Sequence, residues 1–217
     1  MFYINGMFHK RIINSTLLLI LVVTLGFQNN ILIPVTYFLD DIGHVQQFRR
    51  TQAFSEFIDA LSVDGRASLK GIYVADKLQL PITYQPSGNP GFVTTAPDSV
   101  TLFSTASNYG SIGLIAHNHL AGREFFEVEM NDEIYLIYGN GDVQKYVVSE
   151  IREYQALSPT SPYSSFINLA DTGRTITYRD LFFDTYGIGN RLVLQTCISR
   201  NNFDSWGRLF IIATPVN

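Results

Sequence analysis

The chain is poor in cysteine, in tryptophan and in charge. Cys197 is the one cysteine among 217 residues, and Trp206 is the one tryptophan. A single thiol excludes a disulfide within the chain and a structural zinc site of the multi-cysteine kind. Charged residues make up 16% of the sequence and the formal net charge is −4. There is no basic excess to neutralise a phosphate backbone, so nucleic acid is not an expected partner. Internal repeats and low-complexity segments are also missing. What is present is 46% hydrophobic residues, including 12 Tyr and 16 Phe, the composition of an ordered chain that leans toward β structure.

No charge occurs between Arg11 and Asp40. The core of that stretch, residues 16–27, is too short to cross about 30 Å of hydrocarbon, but the whole uncharged stretch is long enough. Gln28, Asn29 and Asn30 interrupt it, and the pattern is also compatible with a signal-peptide core. The absence of a small-x-small cleavage site after Phe27 favours an uncleaved anchor. Lys10 and Arg11 precede the stretch, and Asp40 and Asp41 follow it. The positive-inside rule then predicts a single pass through the cell membrane, with the amino terminus cytoplasmic and the rest outside.

Residues 1–40 are thus read as a tail and anchor, 41–66 as a lead-in segment and 67–217 as a β domain. Within the lead-in, residues 44–63 read as one amphipathic helix. Phe54, Phe57, Ile58 and Leu61 share a face, and Asp64-Gly65 breaks the helix. Residues 69–80 read as one apolar strand that Pro81 ends or places on an edge. Further strands are expected at 100–103 and 111–116. Strands at 133–138 and 143–148 flank the hairpin signal Gly139-Asn140-Gly141-Asp142, and the second arm extends to 154. Residues 155–190 read as a long irregular stretch with at least a helical turn at 178–186, and 191–196 and 209–214 as the last strands. Seven or eight short strands with short helices and one long insertion predict a closed or nearly closed β-barrel.

Cys197 is expected to end the strand Leu192-Val193-Leu194-Gln195-Thr196, before the polar turn Ser199-Arg200-Asn201-Asn202. A free thiol is mostly protonated at neutral pH, so a cysteine nucleophile needs a base or a cation nearby. Four histidines are available. His9 precedes the anchor and His44 opens the lead-in helix, which leaves His117 and His119 after the strand Ile112-Gly113-Leu114-Ile115-Ala116. His117 comes first, where the scaffold holds it more firmly. Arg208 is expected to start the strand after Cys197, with Arg200 as its rival in the loop. A guanidinium stays charged and donates in a fixed fork, which suits a developing oxyanion.

In this order the residues resemble the sortase family of cysteine transpeptidases. The family's Thr-Leu-x-Thr-Cys motif is matched by Val193-Leu194-Gln195-Thr196-Cys197, its arginine by Trp206-Gly207-Arg208-Leu209, and its histidine by Leu114-Ile115-Ala116-His117-Asn118. The resemblance covers residues 68–215 approximately. Val193 stands where the family has Thr, and Ala116 where Gly commonly precedes the His. Papain-like, caspase-like and L,D-transpeptidase patterns fit less well in residue order or in the setting of the cysteine.

The resemblance implies a sortase-like β-barrel without cofactor or metal. Cys197 is the implied nucleophile, His117 the acid and base, and Arg208 the oxyanion donor. The substrate would be an LPxTG-like sorting signal, and the acceptor an amine from the cell wall or a pilin-like protein. Thr196 and Asn118 are the candidate substrate contacts. For Thr196 the competing reading is a plain β-branched strand residue, and for Asn118, as for Phe125 and Trp206, it is packing. The insertion 155–190 is the implied determinant of specificity. Two alternatives remain open from sequence: an exported binding or structural domain with this fold and no activity, and a peptidase that uses water.

Overall fold

Inward and outward side chains alternate along the strands, and that alternation divides the domain into a core and an outer layer. The computed structural model describes residues 35–61 and 64–216, with backbone alone for 35–42. The chain falls into two units, Met1–Thr51 and Gln52–Asn217. In the first, the described residues belong to helix α1 (Val35–Ala60), whose side chains from Gly43 to Thr51 are exposed. The helix starts earlier and ends earlier than the spacing at 44–63 predicts. Among the described residues no helix is long and apolar enough to cross a membrane. The stretch read as an anchor lies, up to residue 34, outside the described residues.

The described residues of the second unit form ten strands. They are β1 (Leu69–Val74), β2 (Leu78–Tyr84), β3 (Val100–Leu102), β4 (Ile112–Ile115) and β5 (Glu133–Tyr138). They continue with β6 (Val143–Ala156), β7 (Phe166–Asn168), β8 (Thr175–Ile176), β9 (Leu192–Arg200) and β10 (Phe203–Pro215). Helix α2 (Ser104–Ser107) and a 3-10 helix (Ala121–Glu127) lie on either side of β4, and α3 (Tyr178–Tyr186) precedes β9. The strand order is β10-β9-β4-β3-β2-β1-β5-β6, and β10 also pairs with β6, so eight strands close into a barrel. The other two strands, β7 and β8, continue the sheet from the far half of β6.

Ile72, Leu114, Ile134, Leu136, Leu192, Leu194 and Ile211 fill the barrel and are fully buried. On the outside, Phe57 and Leu61 from the end of α1 cover Tyr73 and Ile137. They pack so closely that a Cβ on Gly71 would lie 2.6 Å from Leu61 Cδ1. The face Phe54, Phe57, Ile58 and Leu61 read from sequence is therefore the face that packs. A second outer layer joins Tyr154, Phe166, Leu181, Tyr186, Val193, Phe210 and Ile212. Tyr154 joins it because a bulge between Val148 and Glu150 shifts the pairing of β6 with β10. A shift of one residue turns side chains to the opposite face.

Three expectations need correction. Residues 69–80 are a hairpin and not one strand, because Asp76 takes a positive φ of 62° and turns the chain. Cys197 does not end its strand, since β9 runs on to Arg200, and Arg208 lies well inside β10. Asn201 and Asn202 both take positive φ, which makes the two-residue turn that lets the hairpin extend. The stretch 155–190 is ordered into β7, β8 and α3.

Buried tyrosines give the fold a pH dependence. Burial holds the Tyr186 phenol far above its ordinary range and pushes Tyr146 up to about 12. An unfolded chain releases these protons near pH 10. Above that pH the unfolded state binds fewer protons than the folded one, so stability falls as pH rises toward the folded values. The thermal midpoint is expected to decline from about pH 10 upward, and Tyr186→Phe to flatten the decline. A midpoint that stays constant to about pH 12 would contradict this.

Candidate active site

Cys197 lies on β9 between β4 and β10, so its neighbours are set by two ladders. On one side the antiparallel register places Arg208 directly opposite Cys197. On the other side β4 runs parallel to β9 with Ile115 paired to Gln195, and the Ala116 amide donates to the Gln195 carbonyl at 3.2 Å. Pairing of β4 with β9 ends at Ile115, and His117 follows two residues later, where the chain turns and its carbonyl accepts from the amides of Leu120 and Gly122.

Alternation fixes the face. Leu192, Leu194, Leu114, Leu209 and Ile211 point into the barrel. Cys197 and Arg208 each stand an odd number of places from the inward residues of their own strands, so both belong to the outer face. Those two stand opposite each other on β9 and β10, and His117 follows the end of β4, the strand on the other side of β9. Each is half-buried, and Cys197 is a free thiol.

Arg208 is held from behind. Its Nη1 donates to the carbonyls of Ser205 at 3.0 Å and Gly207 at 2.8 Å. Its guanidinium carbon lies 6.0 Å from the centre of the Phe166 ring on β7. Its other guanidinium nitrogens have no hydrogen-bond partner among the described residues. Gly207 lets β6 approach here, since a Cβ would lie 2.5 Å from the Tyr154 carbonyl oxygen. Arg200, the rival, sits at the end of the hairpin over the Trp206 ring, 4.9 Å from its centre. Arg208, not Arg200, is the arginine opposite the thiol.

The His117 and His119 rings stack with centres 5.4 Å apart. His119 is exposed, His44 belongs to the first unit and His9 lies outside the described residues. The structure thus sets Arg208 opposite Cys197, with His117 just past the end of the strand on the other side of it.

Thr196 faces away from the thiol, and Asn118 is engaged with the hairpin that carries it. Thr196 is 2% exposed, points inward, and donates its hydroxyl to the Ala116 carbonyl at 2.9 Å. As the neighbour of an outward residue in a strand, it must face away from the thiol. Asn118 Nδ2 donates to Ser199 Oγ at 2.6 Å and to the Asp204 carbonyl at 2.9 Å. Phe125 is part of the barrel core, and Trp206 is buried beneath Arg200. Sequence reading missed Phe166 and Gly122. A Cβ on Gly122 would collide with Thr196 Oγ1 and lie 2.7 Å from the His117 carbonyl oxygen. The pair Ala121-Gly122, two small residues soon after the histidine, was the available signal.

Among the described residues no cluster of three or more His, Cys, Asp or Glu side chains could hold a metal ion. A cavity of about 580 Å³ lies elsewhere, lined by Tyr73, Asp76, Lys77, Asp98 and Glu124 among others. Burial pushes the Glu124 carboxyl above its ordinary range; Arg123 opposes this and Asp98 adds to it.

No family model and no curated protein matches the chain. Solved structures do. The chain is similar to sortase A from Corynebacterium diphtheriae (a lid mutant), with 16% identity and a TM-score of 0.43 over 69% of this chain and 70% of that one. It is similar to Listeria monocytogenes sortase A, with 14% identity and a TM-score of 0.42 over 70% of this chain and 89% of that one. It is also similar to Clostridium perfringens sortase C, solved with the C-terminal cell wall sorting motif, with 16% identity and a TM-score of 0.44 over 70% and 72%. At such identities the chemistry has to be read from the chain's own residues.

Proposed function

We propose that this protein is a sortase-like cysteine transpeptidase acting on a sorting-signal peptide, held at the cell membrane by its amino-terminal stretch with the barrel outside. The observation that carries the reading is Cys197 on β9 directly opposite Arg208 on β10, with His117 two residues beyond the end of β4, the strand on the other side of β9. A thiol flanked by an imidazole and a guanidinium, all half-buried, is a nucleophile with an acid–base partner and an oxyanion donor.

The Cys197 thiolate attacks the carbonyl carbon of the signal's scissile peptide. A C–S bond forms and the carbonyl electrons move to oxygen. The guanidinium nitrogens of Arg208 that are not tied to Ser205 and Gly207 donate to that oxyanion. Collapse of the intermediate breaks the C–N bond, and the His117 imidazolium gives its proton to the departing amine. The thioester then meets an acceptor amine. Neutral His117 takes the proton from the attacking nitrogen, the new C–N bond forms, and the C–S bond breaks to return the thiolate. Phe166 and the segment between β6 and β9 form the wall beside Arg208, which supports specificity residing in that insertion.

The test uses LPxTG-like peptides and intact mass. A covalent adduct at Cys197 that amines discharge as a new amide supports transpeptidation. Discharge by water alone, with amines present, would make the protein a peptidase. Failure of every peptide, together with failure of a small alkylating reagent to label the native thiol, would leave a binding domain.

A further inference from the structure

We infer that Thr196, Asn118 and Gly122 form a clasp that fixes the His117 backbone beside Cys197, so that they act as positioning residues for the pair. The inference rests on His117 and Cys197 being reaction partners.

The parallel ladder between β4 and β9 gives out where His117 is needed. Its last backbone rung is the Ala116 amide on the Gln195 carbonyl. A side chain makes the next tie: Thr196 Oγ1 to the Ala116 carbonyl, at 2.9 Å and fully inside the barrel. Valine would fill the same space on a β-strand equally well. The hydroxyl carries a desolvation cost that its one bond must offset, and that bond ends on the carbonyl immediately before His117.

A second tie stands on the other side of His117. Asn118 Nδ2 reaches Ser199 Oγ and the Asp204 carbonyl, on the two arms of the hairpin that carries Cys197 and Arg208. The third element is beneath. The His117 carbonyl accepts from the amides of Leu120 and Gly122, each at 3.0 Å. Gly122 can come this close only without a side chain, since a Cβ would strike Thr196 Oγ1 and crowd the carbonyls of His117 and Ala116. The residues before, after and below His117 are therefore tied either to the strands that hold the thiol or to the histidine itself.

A misplacement of about 1 Å between reacting groups can lower a rate as much as 100-fold. Cys197 is the one thiol of the chain, so the rate of whole-protein alkylation by iodoacetamide at neutral pH reports its reactivity without any peptide. His117→Ala is expected to slow the alkylation. Thr196→Val and Asn118→Ala are each expected to slow it on the order of tenfold, while Thr196→Ser stays near the parent rate. In the His117→Ala background neither change is expected to have any further effect, because the group being positioned is gone.

The clasp is overturned if Thr196→Val and Asn118→Ala, with parental circular dichroism, alkylate at the parent rate. It is equally overturned if they slow the reaction as much without His117 as with it. Should Thr196→Val fail to fold, Asn118→Ala at its exposed contact carries the same comparison. A parent rate for His117→Ala itself would instead sink the pairing of His117 with Cys197, and the clasp with it.

Discussion

Cys197→Ala is expected to abolish the peptide adduct entirely, and Arg208→Ala to slow adduct formation by about 10²–10³-fold. The first follows from composition, because no second thiol exists to replace Cys197. The second follows from register. Arg208 is the residue opposite Cys197, and two backbone carbonyls hold its Nη1 while the rest of the guanidinium stays unpaired among the described residues. A donor already in place when negative charge develops needs no reorganisation, and this is the source of its large effect. Arg208→Lys keeps the charge and loses the fork, so it is expected to recover only part of the rate. Loss of the cation above Phe166 is expected to cost about 0.5–1 kcal/mol of stability, so folding survives and the rate can be interpreted. An Arg208→Ala protein that forms adduct at the parental rate would remove Arg208 from the site, whatever the cysteine does.

Tyr186→Ala is expected to destabilise the protein by about 3–5 kcal/mol, the range for removing a buried aromatic side chain. For a domain of this size the midpoint would fall by about 10 °C. Tyr186 is 2% exposed at the end of α3. Its ring centre lies 5.4 Å from both Phe103 and Phe182 and 6.3 Å from Phe210, and its hydroxyl donates to Gln195 Oε1 at 2.8 Å. The ring also rests on Gly113, where a Cβ would approach it to 3.0 Å. One side chain thus joins the insertion to β4, β9 and β10, the three strands of the candidate site. Tyr186→Phe separates the hydrogen bond from the packing and is expected to cost only about 1 kcal/mol. Chemical denaturation measures both. A loss below about 1 kcal/mol for Tyr186→Ala would mean that the outer layer does not depend on this ring.

The barrel was legible in the sequence for a physical reason, and so was the short list of candidates for the site. Short β-branched and aromatic runs separated by Gly and Asn turns carry period-two information, and the scarcity of Cys, His and Arg near strand ends left few ways to assemble a site. Closure was expected, but which strands close the barrel, β10 on β6, was not legible, because pairing across a long separation leaves no local trace. Nor was the bulge after Val148, which sends Tyr154 and Ala156 to the outer layer. The extent of the final hairpin was missed because Asn201-Asn202 reads as a polar loop, whereas the paired positive φ values make it a tight turn. The side of Thr196 was available and overlooked. Leu192 and Leu194 point inward, so the next even-numbered residue of the strand does too.

Strand β9 serves two masters through its alternate letters. Leu192, Leu194 and Thr196 belong to the barrel, while Val193, Gln195 and Cys197 belong to what lies outside it. The same holds for β10, with Leu209 and Ile211 on one side and Arg208, Phe210 and Ile212 on the other. Mutation can therefore rewrite the outward letters without respelling the inward ones. Residues 157–190 thus behave as an exchangeable cassette. In evolution or in the laboratory, a new version must match the seat formed by Val193, Phe210 and Ile212 and replace the ring of Tyr186, while the inward letters stay as they are.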